Sequence, residues 1–235
     1  MSIYVVTGAS RGLGLEFVKQ LSAKGNTVFA CARNPDQAEE LKKLVDNKKV
    51  YSIKLDTTNE QSLKSAVDEI SKHAPNGVDV LINNAAIVLS WKSIKETNKD
   101  ELMKTFETNV AGVVETTNIF LPLLRKRGKE HTKKIVNISS IVGSIGGGID
   151  IQEAAAYRIS KAALNMVTKL QSRQLAEESF IVYSAHPGWV QTDMGGPNAQ
   201  ITPEVSIKGM LSKLESATSK DNGGFFDYTG ELIVW

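Results

Sequence analysis

Sulfur chemistry is nearly missing from this chain. Among 235 residues there is one cysteine, Cys31, which excludes an intrachain disulfide and suits a reducing compartment. Histidine is almost as scarce, and His73, His131 and His186 show no metal-ligand spacing between them. His73 and His131 stand among polar residues and read as solvated, whereas His186 precedes Pro187 at the end of an apolar run. Long apolar runs are missing too. None approaches the ~18 residues that a membrane span needs, and the opening MSIYVVTGAS has no basic start followed by a long apolar stretch, so a cytosolic location is expected. Charge of either sign is not in excess. Lysine and arginine number 28 against 26 acids, and the resulting +2 is too small to argue for nucleic acid or an anionic membrane. The one basic cluster, Arg125 to Lys134, lies between apolar segments and reads as a solvated helix end and loop. No Pro/Gly/Ser-rich linker or internal repeat divides the chain, so one domain over residues 1–235 is expected.

What is present is alternation. Apolar runs at 3–7, 27–32, 50–55, 78–83, 134–139, 180–186 and 225–228 are separated by longer segments of helical period. That is the pattern of βαβ units, and it predicts an α/β fold with a doubly wound parallel sheet and helices on both faces. The longest helical segments are expected at 99–127 and 154–178, and Thr58 or Asn59 caps a helix running through Lys72. Ligand should sit at the carboxyl ends of the strands.

Directly after the first strand comes TGASRGLG, residues 7–14. Glycines there let the chain turn tightly and let backbone N–H groups approach a pyrophosphate at a helix N-terminus. The dinucleotide residues expected from this turn are Gly8, Ser10, Arg11, Gly12, Leu13 and Gly14. Where folds of this kind prefer NAD, an acid at the end of the second strand binds the ribose 2′-hydroxyl. Here Ala32 holds that place, and Arg33 follows it. Arg33 and Arg11 suit a 2′-phosphate, so NADP(H) is the expected cofactor.

Tyr157 and Lys161 stand four residues apart in AAAYRISKAALN, a helix-favouring run, and so share one helical face. On a solvated helix that is only a surface pair. In a site, an ammonium about 4 Å from a phenol would interact with its anion by roughly 4 kcal/mol and draw the tyrosine toward neutrality.

These motifs, in this order, resemble the short-chain dehydrogenases/reductases, most closely the compact carbonyl reductases of the sniffer and C-factor type. The resemblance rests on TGASRGLG, Asp56 in LDTT, NNAA at 83–86, Asn109 in TNVAG, Ser140 in ISSIVG, YRISK at 157–161 and HPGWVQTDM at 186–194. It implies reduction of a small-molecule ketone or aldehyde, with Tyr157 as general acid, Ser140 holding the substrate oxygen, Lys161 also binding the nicotinamide ribose, and Asn109 holding a water behind Lys161. It further implies that Asp56, Thr57, Asn83 and Ala85 line the adenine and ribose side. Pro187, Gly188, Val190 and Thr192 would complete the nicotinamide pocket. The family pattern S-x-x-G selects Ser140, with Gly143, over Ser139. Ala86 stands where the family usually has glycine, which leaves that turn's geometry open. A variable substrate lid is expected at 195–222 and a homodimer through the two long helices, with Ala154, Ala155, Ala162 and Ala163 allowing close approach. Trp91, Trp189 and Trp235 could form substrate walls or plain packing. Two rivals share these residues: an NAD-dependent alcohol dehydrogenase and a dinucleotide-responsive regulatory protein without turnover.

Overall fold

In the computed structural model, which describes residues 1–147, 149 and 151–235, the buried apolar runs pair into one parallel sheet of seven strands. They are β1 (Ile3–Thr7), β2 (Thr27–Ala32), β3 (Val50–Lys54), β4 (Val80–Asn83), β5 (Lys133–Ile138), β6 (Phe180–His186) and β7 (Phe225–Asp227), in spatial order β3-β2-β1-β4-β5-β6-β7. Strands covered on both faces need apolar residues at successive positions, which is why β1, β2, β4 and β6 read as nearly continuous apolar runs. Side chains still alternate. Tyr4, Val6, Ala30 and Tyr183 face one core, which is closed by α1 (Gly12–Ala23) and α7 (Pro203–Ser216). Val5, Phe29, Leu81 and Val182 face the other, beneath α3 (Glu60–His73) and α5 (Gly112–Arg125). Cys31 is a buried member of that second core.

A short α2 (Glu39–Lys42) follows β2. Asn59, and not Thr58, caps α3 by accepting the Ser62 N–H at 2.8 Å. The helical segment expected at 99–127 divides into α4 (Lys99–Phe106), a π-helical turn at Glu107–Ala111, and α5. Further along, α6 (Ala155–Gln174) begins after Ala154, whose φ of 54° is left-handed. The expected lid at 195–222 holds a core helix. Ile207, Leu211 and Leu214 of α7 are buried against the α1 side of the sheet, so the amphipathic part of that segment is structural. Much of the basic cluster is committed as well: Arg127 pairs with Asp79 and Arg125 with Glu178, while buried Lys133 donates to the carbonyls of Gly128 and Glu178.

The strand order reverses between β1 and β4. Their carboxyl ends diverge there, and the loops leaving them open the crevice where a ligand is expected.

Candidate active site

A cleft of about 910 Å³ lies at that switch point. Its wall includes Gly8, Ser10, Arg11, Gly12, Leu13 and Gly14 from the first turn, Arg33 from the end of β2, Asp56 and Thr57 after β3, and Ala85 after β4. At its other end stand Ser139, Tyr157, Lys161, Pro187 and Thr192.

The first turn is built for close approach. Gly8 has φ 66° and a Cβ on Gly14 would lie 2.2 Å from the Gly8 carbonyl oxygen, so both positions require glycine. Asn84 locks the turn from β4, its amide donating to the carbonyls of Thr7 and Gly8. Arg11, at the N-cap of α1, makes no side-chain cap. The first N–H groups of that helix therefore stay open to the cleft, and a helix end of this kind suits a phosphate. The donor set fits a dinucleotide.

At the adenine end, Ala32 is buried and Arg33 is exposed. Lys54, which belongs to no motif, pairs with Ala32 in the β2–β3 register. Arg33, Lys54 and Asp56 share a side recess of about 450 Å³ that adjoins the cleft. Arg11 differs from the expectation, since its guanidinium is paired with Asp193, both side chains being 73% exposed. Such an exposed pair is worth only about 0–1 kcal/mol and leaves Arg11 available to a stronger anion. Asp56 is partly a turn residue, with Oδ1 accepting both the N–H and the hydroxyl of Thr58.

Five of the expected residues stay off the cleft wall, Ser140 among them, with Ser139 lining it instead. Asn83 is buried and donates to Thr117 and Asn137 at 3.1 and 2.8 Å, because strand alternation turns it into the α5 face and leaves Asn84 to meet the cleft. Gly188, with φ 83°, and buried Val190, bridged to Ile201, shape the turn that presents Pro187 and Thr192. Asn109 is fully buried in the π-helical turn. Its side chain accepts the Ile87 N–H and donates to the Ile87 carbonyl and to Ser160, so it braces the cleft wall from behind. Ala86 takes no positive φ, and alanine therefore fits where glycine is usual.

The two serines separate cleanly. Ser139 donates to Asn165 Oδ1 at 2.6 Å, which commits its hydroxyl to α6. Ser140 has only a 3.4 Å contact from the Val142 N–H, and its hydroxyl faces Tyr157.

Charges at the pair depart from the sequence reading. Lys161 Nζ lies 5.4 Å from the Tyr157 ring centre and donates to the Ile138 carbonyl at 2.7 Å. Burial pushes Tyr157 up to about 12, with Ser140 acting the other way, and pushes Lys161 down to about 7. Desolvation disfavours the charged form of each group and here outweighs their attraction. The tyrosine is not drawn toward neutrality in the folded chain; the lysine is. His186 is likewise pushed down to about 4 by burial, with Asp227 opposing, and its Nδ1 has no partner among the described residues. Also among the described residues, no cluster of His, Cys, Asp or Glu could hold a metal, and no helix is long and apolar enough to cross a membrane.

Comparison with known proteins gives the same outline. Residues 2–201 match the family described as short chain dehydrogenase. The fold superposes on the carbonyl reductase Sniffer of D. melanogaster with a TM-score of 0.95 at 35% identity, covering 100% of both chains. An NADPH-bound carbonyl reductase from chicken fatty liver gives the same TM-score and identity, covering 100% of this chain and 99% of that one. An uncharacterized oxidoreductase of Schizosaccharomyces pombe is 34% identical over 98% of this chain and 97% of its own length. The chain belongs to the short-chain dehydrogenase family.

Proposed function

We propose that this oxidoreductase uses NADPH to reduce the carbonyl of a small ketone or aldehyde, with Tyr157 donating the proton. One observation carries the reading: Tyr157 and Lys161 open onto the same cleft as an uncapped, glycine-lined helix end, beside a serine whose hydroxyl makes only a 3.4 Å contact from the Val142 N–H and faces Tyr157. NADPH, when bound, supplies the hydride that adds to the carbonyl carbon.

The chain's own groups do the rest. Tyr157 holds its proton throughout the physiological range, which suits a donor. Ser140 donates to the substrate oxygen, orienting it and stabilising the negative charge that builds there. The oxygen then takes the Tyr157 proton and the product leaves as an alcohol. Lys161, poised at about 7, can return a proton to the phenolate at neutral pH. Asn109 acts through Ile87, holding the wall against which substrate packs.

Preference for NADPH over NADH follows from what stands at the ends of β2 and β3. Buried Ala32 offers no carboxylate, while exposed Arg33 and Lys54 flank the recess beside it. The NADPH bound to the chicken liver enzyme supports the same choice. The single buried thiol suits the cytosol.

Pairing with a second copy is part of the reading, through a surface other than the alanines named from sequence. Ala154 and Ala155 are buried within the chain, and Ala162 and Ala163 are half-buried. The outer face of α6 instead carries Ile159, Met166 and Leu170, all at least 44% exposed, beside Met103 and Phe106 of α4. A light-scattering mass near 25.6 kDa at micromolar concentration would reject the dimer.

The experiment for the activity is a panel of aldehydes and ketones followed by nicotinamide absorbance with each reduced cofactor. Turnover with NADPH is expected. A panel that consumes neither cofactor, while both bind, would point to the regulatory alternative.

A further inference from the structure

The loop leaving β5 carries Ser140 and is anchored at both ends. Its near end rests on the catalytic helix: a Cβ on Gly143 would come within 2.7 Å of the Lys161 backbone, and Arg158, next to Tyr157, donates to the Val142 carbonyl at 3.2 Å. The far end is tied to a segment distant in sequence. Ser144 accepts the Gly147 N–H at 2.8 Å and donates to the Val234 carbonyl, and the Gly146 N–H donates to Trp235 at 2.7 Å. Contact is close enough that a Cβ on Gly146 would lie 2.8 Å from Val234 Cγ1.

That segment, Leu232–Trp235, is itself fastened to the sheet. The Ile233 N–H donates to the Phe225 carbonyl at 2.7 Å, and the Trp235 ring stacks on Phe225 with centroids 5.4 Å apart. Lys169 of α6 places its Nζ 5.9 Å from the same ring. The serine loop is thus strung between the catalytic helix and β7.

We propose that Ser144 and Trp235 are positioning residues, which fix the course of this loop and so place the Ser140 hydroxyl against the substrate oxygen. The inference rests on the carbonyl-reductase reading above. Three features make the role more than structural. The Ser140 hydroxyl has only a 3.4 Å contact to its own loop, so its position follows the backbone. Ser139 and Lys161 are held by Asn165 and the Ile138 carbonyl, contacts that do not involve the far end of the loop. Leu232 and Val234 are 73% and 65% exposed, and no residue of their segment belongs to either core on the two faces of the sheet. Substrate placement is then the property that changes, while cofactor binding at the other end of the cleft does not.

The test compares Ser144→Ala, Trp235→Ala and Trp235→Phe in the full chain, with NADPH and 4-nitrobenzaldehyde as the carbonyl. Displacing a positioned group by a fraction of an ångström is enough for about a tenfold loss in kcat/KM, and it should fall mainly on KM in both alanine variants. NADPH dissociation constants should stay within about twofold, the Gly146 amide should exchange faster with deuterated water, and Trp235→Phe, which keeps a stacking ring, should restore kcat/KM. Faster exchange with kcat/KM unchanged would overturn the proposal. So would a loss of NADPH affinity as large as the rise in KM, which marks general loosening. An unmodified protein that reduces no carbonyl takes down the reading of function, and this inference with it; a protein active in all three variants takes down the inference alone.

Discussion

The two ends of the cleft are made of different material. At the adenine and pyrophosphate end, the site is mostly backbone: Gly8 and Gly14 where a side chain would collide, an uncapped helix end, and exposed cations. At the catalytic end, it is side chains buried and braced by one another: Ser139 on Asn165, Lys161 on Ile138, Asn109 on Ile87. The first end binds with groups whose charge state is fixed. The second holds Lys161, which burial brings to about 7, where a group can exchange a proton at neutral pH. Replacements at the catalytic end should therefore alter turnover, and those at the adenine end should alter which cofactor is held.

The sharpest break of that contrast is Tyr157→Phe. Removing the phenolic proton should lower kcat by about 10²- to 10⁴-fold, while NADPH, held mainly from the other end, still binds. A variant keeping more than about a tenth of wild-type kcat would have lost under about 1.4 kcal/mol of transition-state stabilisation, and the acid would have to be sought elsewhere.

Next in size is the cofactor swap. A charge-assisted contact from Arg33 to a 2′-phosphate contributes roughly 1.5–3 kcal/mol, or about ten- to a hundredfold. Ala32→Asp with Arg33→Ala should reverse the NADPH preference with kcat for the favoured cofactor little changed. Dissociation constants for the two reduced cofactors differing by less than about threefold in the unmodified protein would defeat the assignment.

The serine pair tests the contrast at adjacent residues. Ser140→Ala should lower kcat/KM with the unfolding midpoint unmoved. Ser139→Ala should do the reverse, since it leaves a buried Asn165 carbonyl unpaired at a cost of about 1–3 kcal/mol. Activity and urea midpoints on both variants decide it, and equal effects on turnover would mean that both hydroxyls reach substrate.

Why the sequence shows one end better than the other follows from the same difference. Fully buried parallel strands must be nearly continuous apolar runs, so β1, β2, β4 and β6 stand out, and glycines at positions of steric conflict mark the first turn. The spacing of Tyr157 and Lys161 puts both on one helical face, and the resemblance of the motifs brings in Ser140. Side-chain direction was the harder matter. NNAA does not say which asparagine faces the cleft until the end of β4 is placed at Asn83, and a π-helical turn at 107–111 has no propensity signal to separate it from a continuous helix. The segment expected as a lid contains α7, whose buried face is not visible as such in sequence, and Thr192, Asp193 and Met194 just before it line the cleft. The Leu232–Trp235 contact with the serine loop is invisible in sequence, since some ninety residues separate Ser144 from Val234. The downward shift of Lys161 is not visible in sequence, because a distance argument at fixed dielectric leaves out the desolvation of Lys161 itself.

The smallest expected effect concerns a buried group that chemistry does not use. His186 ends β6 opposite Asp227 of β7, and burial pushes its imidazole to about 4 from an ordinary 6.5, Asp227 only partly opposing. Between those two values the unfolded chain binds a proton that the folded chain refuses. Stability therefore falls as pH drops from about 6.5 toward about 4 and is unaffected by this group above 6.5. His186→Asn cannot take up that proton, so its urea midpoint should decline less steeply than the wild type's between pH 6.5 and 4, whatever its offset at pH 7. Parallel acid limbs would assign the loss to the carboxylates. Those held low by hydrogen bonds, such as Asp46 at about 2 with the N–H groups of Val50, Lys48 and Lys49 around it, act at lower pH, so the two contributions separate along the titration.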